Sequence, residues 1–329
     1  MMSPASIAVL GPGSVGALLA RLASANGCRV AWWAGERPAE VERPARKRAV
    51  RGAVRACEGV VSTKQPEEAL GDAGLVFLAV PAGELPGLMA RVGAGLTPDR
   101  LVVHAAKGLD GPGGRRPSEL IDEATAARRV GALAGPYLVA EVLEGYATTL
   151  VIASRFDEVQ TAVREALASE GVRVQATHDL LGVELAGAAA VALGAAAGLC
   201  AGLKLGVGAR AVLLARGLAE ATRVGTALGA KAETFGGPAG VADLLVTAGD
   251  PDGLGFRFGR RIGAGETAAK VREEVGERTE AVRALEGLRA LAGRARVPAP
   301  TLGTLCEALI DGADAAVVLD RCLRGPADD

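Results

Sequence analysis

Apolar residues in the first half of the chain fall into short continuous runs: SIAVLG (6–11), CRVAWWAG, GLVFLAV, RLVVHAA, RVGALAG, ATTLVIAS and VRVQAT (172–177). Runs this short, closed by glycine or polar residues, predict buried β-strands. Between them SVGALLARLASANG and DEVQTAVREALASEG carry apolar residues at helical spacing, and the first ends on Gly27 as a C-cap signal. Strands separated by helices predict a parallel, doubly wound sheet. From about Asp179 only the helical period remains, in ARAVLLARGLAEATRVGTALGA, RTEAVRALEGLRALAGRA and PTLGTLCEALIDG. The pattern therefore predicts an α/β domain over 1–178 and an all-α domain over 179–329. The basic stretch RPARKRAVRGAVR (43–55) reads as a solvated, partly helical loop.

One segment breaks the amphipathic pattern. Between Glu184 and Lys204 lie nineteen residues without a charge, Leu185 to Leu203. That length meets the rule for a membrane span. The composition does not, because alanine and glycine dominate and few large apolar side chains are present to drive insertion. The segment reads as a central helix whose small residues let neighbouring backbones approach closely.

Composition narrows the class. The chain has 329 residues, 37 basic and 38 acidic side chains, and 3% aromatics. A near-neutral balance with few aromatics argues against a nucleic-acid or polybasic membrane partner. The five cysteines, Cys28, Cys57, Cys200, Cys306 and Cys322, form no CxxC pair, and the two histidines, His104 and His178, add no metal-ligand spacing. The start, MMSPASIAVLGPGSVG, lacks a basic region before its apolar run and reads as a strand, not a signal peptide. A cytoplasmic protein without a disulfide framework is expected.

The strongest chemical signal follows the first run. Gly11-Pro12-Gly13-Ser14-Val15-Gly16 has GxGxxG spacing in a strand–turn–helix setting, the fingerprint of dinucleotide binding. Gly11 suits the tight turn, Gly13 lets backbone approach a pyrophosphate, and Gly16 allows close helix–strand packing. The helix N-terminus then offers unpaired N–H groups to the phosphates. At the end of the second run, Glu36 suits the ribose 2′-hydroxyl of NAD, whereas Arg37 suits the 2′-phosphate of NADP. Both cofactors stay open, with Arg37 and the nearby Arg43, Arg46 and Lys47 favouring NADP. Val80 and Pro81, in AVPAG after the third run, are placed as a further cofactor-side loop.

HAAKGLD (104–110), AGPYLVAEVLEG (134–145), DLLGVELAG (179–187), residues 209–230, ETFGGPAGVADLLVT (233–247) and VPAPTLGTLCEAL (297–309) complete an ordered series. Together with the fingerprint, from about residue 6 to 323, it resembles the NAD(P)-dependent glycerol-3-phosphate dehydrogenase family. The resemblance implies a Rossmann-type domain, a helical substrate and dimerisation domain, and a homodimer. It also implies hydride transfer between a nicotinamide and a small substrate. By the resemblance Lys107, Asp243 and Thr247 match polar residues of the family's site. Other positions depart from it. The family's lysine–asparagine pair falls on Ala190 and Val191, and its phosphate-holding arginine–asparagine pair falls on Leu254 and Gly255. Phe256 follows these, Arg257 survives beside them, and Ala106 stands for a threonine.

Loss of a group that stabilises or protonates the carbonyl oxygen costs roughly 10²–10³ in rate. The expectation is therefore an oxidoreductase with an altered, non-phosphorylated ketone, alcohol or imine substrate, and a more apolar, roomier pocket. Lys107 would act as the acid, Asp243 would hold its ammonium, and Thr247 would orient the substrate. His104, beside Lys107 in sequence, and Tyr137 are lesser candidates for the same chemistry, and His178 reads as a linker residue. Two alternatives remain: a true glycerol-3-phosphate dehydrogenase whose phosphate site is rebuilt, for instance by Arg257 and Arg260, and a silent nucleotide-binding module.

Overall fold

The computed structural model describes residues 6–35, 58–275 and 280–324. Glu36, Arg37, Arg43, Arg46, Lys47 and the basic stretch 43–55 lie outside the described residues. The chain divides into two compact units: Met1–Ala106 with Pro117–Leu180, and Lys107–Arg116 with Leu181–Asp329. The segment 107–116 thus groups with the helices, although it lies in the sequence between two strands.

The first unit is an eight-stranded sheet in the order β3-β2-β1-β4-β5-β6-β7-β8. The strands are β1 Ser6–Leu10, β2 Arg29–Trp33, β3 Val60–Thr63, β4 Leu75–Leu78, β5 Leu101–His104, β6 Arg129–Ala134, β7 Thr148–Ser154 and β8 Val172–Thr177. Alternation along the strands loads both faces. Ile7, Val9, Phe77 and Val103 join one apolar core, and Ala8, Leu10, Val76, Leu78 and Val102 join another. That two-sided burial explains why these strands read as continuous apolar runs. Seven strands follow the sequence runs. The eighth, β3, is a short edge strand with little buried surface, so it carries no apolar run to reveal it.

The sheet is parallel except for β6 and β7, which pair antiparallel. A parallel crossover needs a dozen or more residues, usually a full helix. The β6–β7 connection holds the five-residue helix Val139–Leu143 and reverses the chain direction.

Among the described residues, every regular element of the second unit is a helix. Its core runs along the 23-residue helix Leu180–Gly202, where every residue from 182 to 200 is buried except Val191. Glycines make this possible. A Cβ on Gly198 would lie 1.9 Å from the carbonyl oxygen of Phe256, and one on Gly202 would lie 2.3 Å from that of Arg260. From the other side, a Cβ on Gly259 would lie 1.9 Å from the carbonyl oxygen of Ala195. The helix Leu254–Gly263 therefore crosses the long helix backbone against backbone, and the small residues of both serve that crossing. The apolar length of the long helix is the length of this core.

Candidate active site

In the first unit the chain leaves β1 at Leu10, turns through Gly11–Gly13, and enters the helix Ser14–Ala25 with Gly13 as its N-cap. No side chain caps that N-terminus and no acid sits in its first turn, so its N–H groups remain for a ligand. The three glycines act in different ways. A Cβ on Gly11 would lie 2.2 Å from the carbonyl oxygen of Ala79, just past β4, and one on Gly16 would lie 2.2 Å from that of Gly11. Both are demanded by close backbone packing, and neither has a positive φ. A Cβ on Gly13 would meet no atom within 4 Å, so this backbone is bare toward open space. Trp32, buried on β2, donates from Nε1 to the carbonyl oxygen of Gly11 at 2.9 Å and fixes the turn. Sequence reading missed that anchor, because a buried tryptophan in a strand reads as core alone.

This loop fits a dinucleotide pyrophosphate: exposed N–H groups, no competing acid, and a glycine whose missing side chain leaves room. Pro12, Ser14 and Val15 lie in the same turn and first helical residues. Val80 is buried behind β4, and Pro81 opens the short turn Ala82–Glu84.

In the second unit Lys107, Asp243 and Thr247 come together. Lys107 Nζ lies 2.7 Å from Asp243 Oδ1, with the lysine side chain 15% exposed and the aspartate fully buried. Asp243 opens the helix Asp243–Gly249, which continues directly from the π-helical turn Pro238–Ala242, so its side chain is not needed as a cap and meets the lysine. Thr247, one turn on, places its hydroxyl 3.5 Å from the same oxygen. Burial pushes the Asp243 carboxyl above the usual carboxylate range, while the Lys107 ammonium and its hydrogen bond pull it down. Oδ2 of Asp243 is buried without a hydrogen-bond partner.

The long helix backs this cluster. A Cβ on Gly187 would sit 3.8 Å from Cβ and Cγ of Lys107, and one on Gly194 would sit 2.4 Å from Cγ2 of Thr247. Positions 187 and 194 are seven apart, so the helix face between them, which carries Ala190 and Val191, faces the cluster. Ala190 is fully buried on that face. Val191 is half-buried, and its carbonyl oxygen lies 3.5 Å from where a Gly255 Cβ would be. Leu254 is 39% exposed and Arg257 is half-buried, while Phe256 is buried against the long helix. No cation stands at 254 or 255.

His104 is buried at the end of β5, and Tyr137 is buried in the first unit. His178 Nδ1 lies 3.1 Å from both Gln160 Nε2 and the carbonyl oxygen of Ser154, a structural contact at the end of β8. Sequence reading missed Glu280. Its Oε1 accepts the backbone N–H of Lys107 at 3.1 Å and that of Gly108 at 2.9 Å. In the sequence it is one more charge on an amphipathic helix, and no spacing singles it out.

Comparison with known proteins identifies the family. The profile for the NAD-dependent glycerol-3-phosphate dehydrogenase N-terminus matches residues 6–160, and that for the C-terminus matches residues 179–320. A glycerol-3-phosphate dehydrogenase [NAD(P)+] of Pseudomonas aeruginosa is 35% identical over 97% of this chain and 94% of its own length. One from Carboxydothermus hydrogenoformans is 32% identical over 94% of each. The crystal structure of glycerol-3-phosphate dehydrogenase from Coxiella burnetii superposes with a TM-score of 0.86 at 26% identity, covering 98% of this chain and 99% of that one. With both family profiles matched and full-length relatives above 30% identity, the chain belongs to the NAD-dependent glycerol-3-phosphate dehydrogenase family.

Proposed function

We propose that the protein is an NAD(P)-dependent oxidoreductase that interconverts a small ketone or imine and its reduced form, on a substrate lacking the phosphate of glycerol 3-phosphate. The observation that carries this is the composition of the second unit's cluster. Lys107, Asp243 and Thr247 are in place, while Ala190, Val191, Leu254 and Gly255 bring no cation or amide. A reduced nicotinamide, when bound, supplies the hydride. Lys107 supplies the charge: its ammonium, held by Asp243 Oδ1, is the one charged donor of this cluster. It stabilises the developing oxyanion, or donates the proton, from Nζ. Thr247 offers a hydroxyl for orientation. A charged hydrogen bond to phosphate contributes roughly 1.5–3 kcal/mol, and a bidentate arginine more. With Leu254 and Gly255 in those places, a phosphate loses that contribution.

Both NAD and NADP suit the bare Gly13 backbone, and Arg37 favours NADP by its residue type. The same proposal includes a cytoplasmic homodimer, supported by the free thiols of Cys28, Cys200, Cys306 and Cys322 and by the exposed Val207, Val212, Leu245 and Val317 of the helical unit. The test is oxidation of NADPH and NADH over a panel of non-phosphorylated ketones, aldehydes and imines. Turnover that requires Lys107 supports the proposal. Tight cofactor binding with no turnover over the whole panel makes the protein a binding module instead.

A further inference from the structure

We propose that Glu280 is the positioning residue of Lys107, a carboxylate clamp that aims the ammonium from its backbone end; the inference rests on the role given to Lys107 above. The grip is specific. One oxygen, Oε1 of Glu280, accepts two successive backbone N–H groups, those of Lys107 and Gly108, at 3.1 and 2.9 Å. A carboxylate on two successive N–H groups is a charge-assisted contact, stronger than a neutral one and directional. Glu280 opens the helix Glu280–Ala295, whose next residues, Ala281 and Val282, are buried in the helical core. An acid at a helix start ordinarily serves its own helix. Glu280 reaches as well to a loop some 170 residues earlier in the chain.

Gly108 completes the clamp. A Cβ there would lie 3.0 Å from Glu280 Cβ and 3.1 Å from its Oε1, so a side chain at 108 would press on the carboxylate. Gly108 has no positive φ, so the requirement is contact with Glu280 and not backbone conformation. Lys107 is consequently held twice, by Glu280 at its amide and by Asp243 at Nζ, 2.7 Å away. A lysine fixed at both ends loses the rotamer freedom that would let its ammonium leave the buried carboxylate for solvent.

The test measures the accessibility of one amine, independent of any substrate. The full-length protein is acetylated under native conditions with isotopic acetic anhydride, and the Lys107 rate is read by peptide mass spectrometry. Lys231 and Lys270, about 60% exposed, serve as internal references. Glu280→Ala is expected to raise the relative Lys107 rate at least fivefold. Gly108→Ala, which displaces the carboxylate without deleting it, is expected to do the same. Glu280→Gln, whose amide oxygen accepts the same two bonds, is expected to stay within twofold of the parent. The proposal is overturned if Lys107 labels at the parent rate in folded Glu280→Ala or Gly108→Ala, or if Glu280→Gln labels as fast as Glu280→Ala. Should Glu280→Ala fail to fold, the other two variants decide. If the labelling follows expectation while Lys107→Ala keeps full turnover, the clamp stands and the catalytic role of Lys107 falls.

Discussion

Lys107 Nζ lies 2.7 Å from Oδ1 of Asp243, while Oδ2 of the same carboxylate is buried without a partner. The carboxylate is therefore half satisfied. Burial pushes its pKa up, and the lysine and the Thr247 hydroxyl pull it back down. Removing the lysine takes away the larger of these two opposing effects, a change that costs roughly 3–5 kcal/mol for a buried pair.

The sign of the resulting pH dependence follows. A carboxyl whose folded pKa is raised contributes stability that is fully present below its unfolded value, about 3.9, and lost as pH rises through the folded pKa. In Lys107→Met the deficit against the parent should be small near pH 4 and grow toward pH 8. Lys107→Met/Asp243→Asn should recover most of it. Denaturant melts across that range check this; a deficit that shrinks as pH rises would contradict the reading of Asp243.

The three fingerprint glycines should separate on substitution. Gly11→Ala drives a Cβ to 2.2 Å from the Ala79 carbonyl, and overpacking of this kind destabilises by roughly 1–3 kcal/mol. Gly13→Ala meets nothing within 4 Å and should melt within about 2 °C of the parent. It should nonetheless weaken NAD(P)H binding by roughly tenfold, about 1.4 kcal/mol, because the new methyl occupies the space of the pyrophosphate. Thermal melts beside cofactor titrations distinguish the two; a Gly13→Ala protein that binds cofactor like the parent would remove the pyrophosphate from this loop.

Glu220 is a buried carboxylate with a structural task. It accepts the backbone N–H groups of Thr301 and Leu302, each at 2.9 Å, at the start of the helix Pro300–Leu309. That helix has Ala299 at its N-cap, which offers no side-chain acceptor, so an acid from another helix fills the role. Glu220→Ala should cost about 3 kcal/mol, from two charge-assisted bonds lost in the core, and Glu220→Gln about half of that. Equal stability of Glu220→Ala and the parent would show that water replaces the carboxylate.

Burial pushes the thiols of Cys200 and Cys306 up to about 11 and about 12. At pH 8 their thiolate fractions are on the order of 10⁻³ and 10⁻⁴, and the thiolate is the nucleophile. Iodoacetamide at pH 8 should label the half-buried Cys28 and Cys322 first and reach Cys200 and Cys306 only on unfolding. Stability from these two thiols is complete below an unfolded thiol's pKa, near roughly 8.5, and is lost as pH rises through 11 to 12. Rapid native labelling of Cys200 would mean that the long helix opens readily.

Much of this was legible in the sequence, and for physical reasons. Strands buried on both faces leave continuous apolar runs, and a phosphate loop leaves glycines at fixed spacing. Lys107, Asp243 and Thr247 came from matching residues to the family pattern. The rest depends on contacts that no local pattern encodes. Strand β3 buries too little to show, Trp32 anchors the glycine loop with a single N–H, and Glu280 reaches Lys107 across 173 positions.

The proposed function has the phosphate grip lost and the lysine cluster kept. Its most direct test is kcat/KM for dihydroxyacetone phosphate against that for dihydroxyacetone and other non-phosphorylated carbonyls or imines, with NADPH and with NADH. The expected outcome is that the phosphate confers no advantage and that the best substrate lacks one. Brisk reduction of dihydroxyacetone phosphate, abolished by Arg257→Ala, would contradict it and show a phosphate site rebuilt around that arginine.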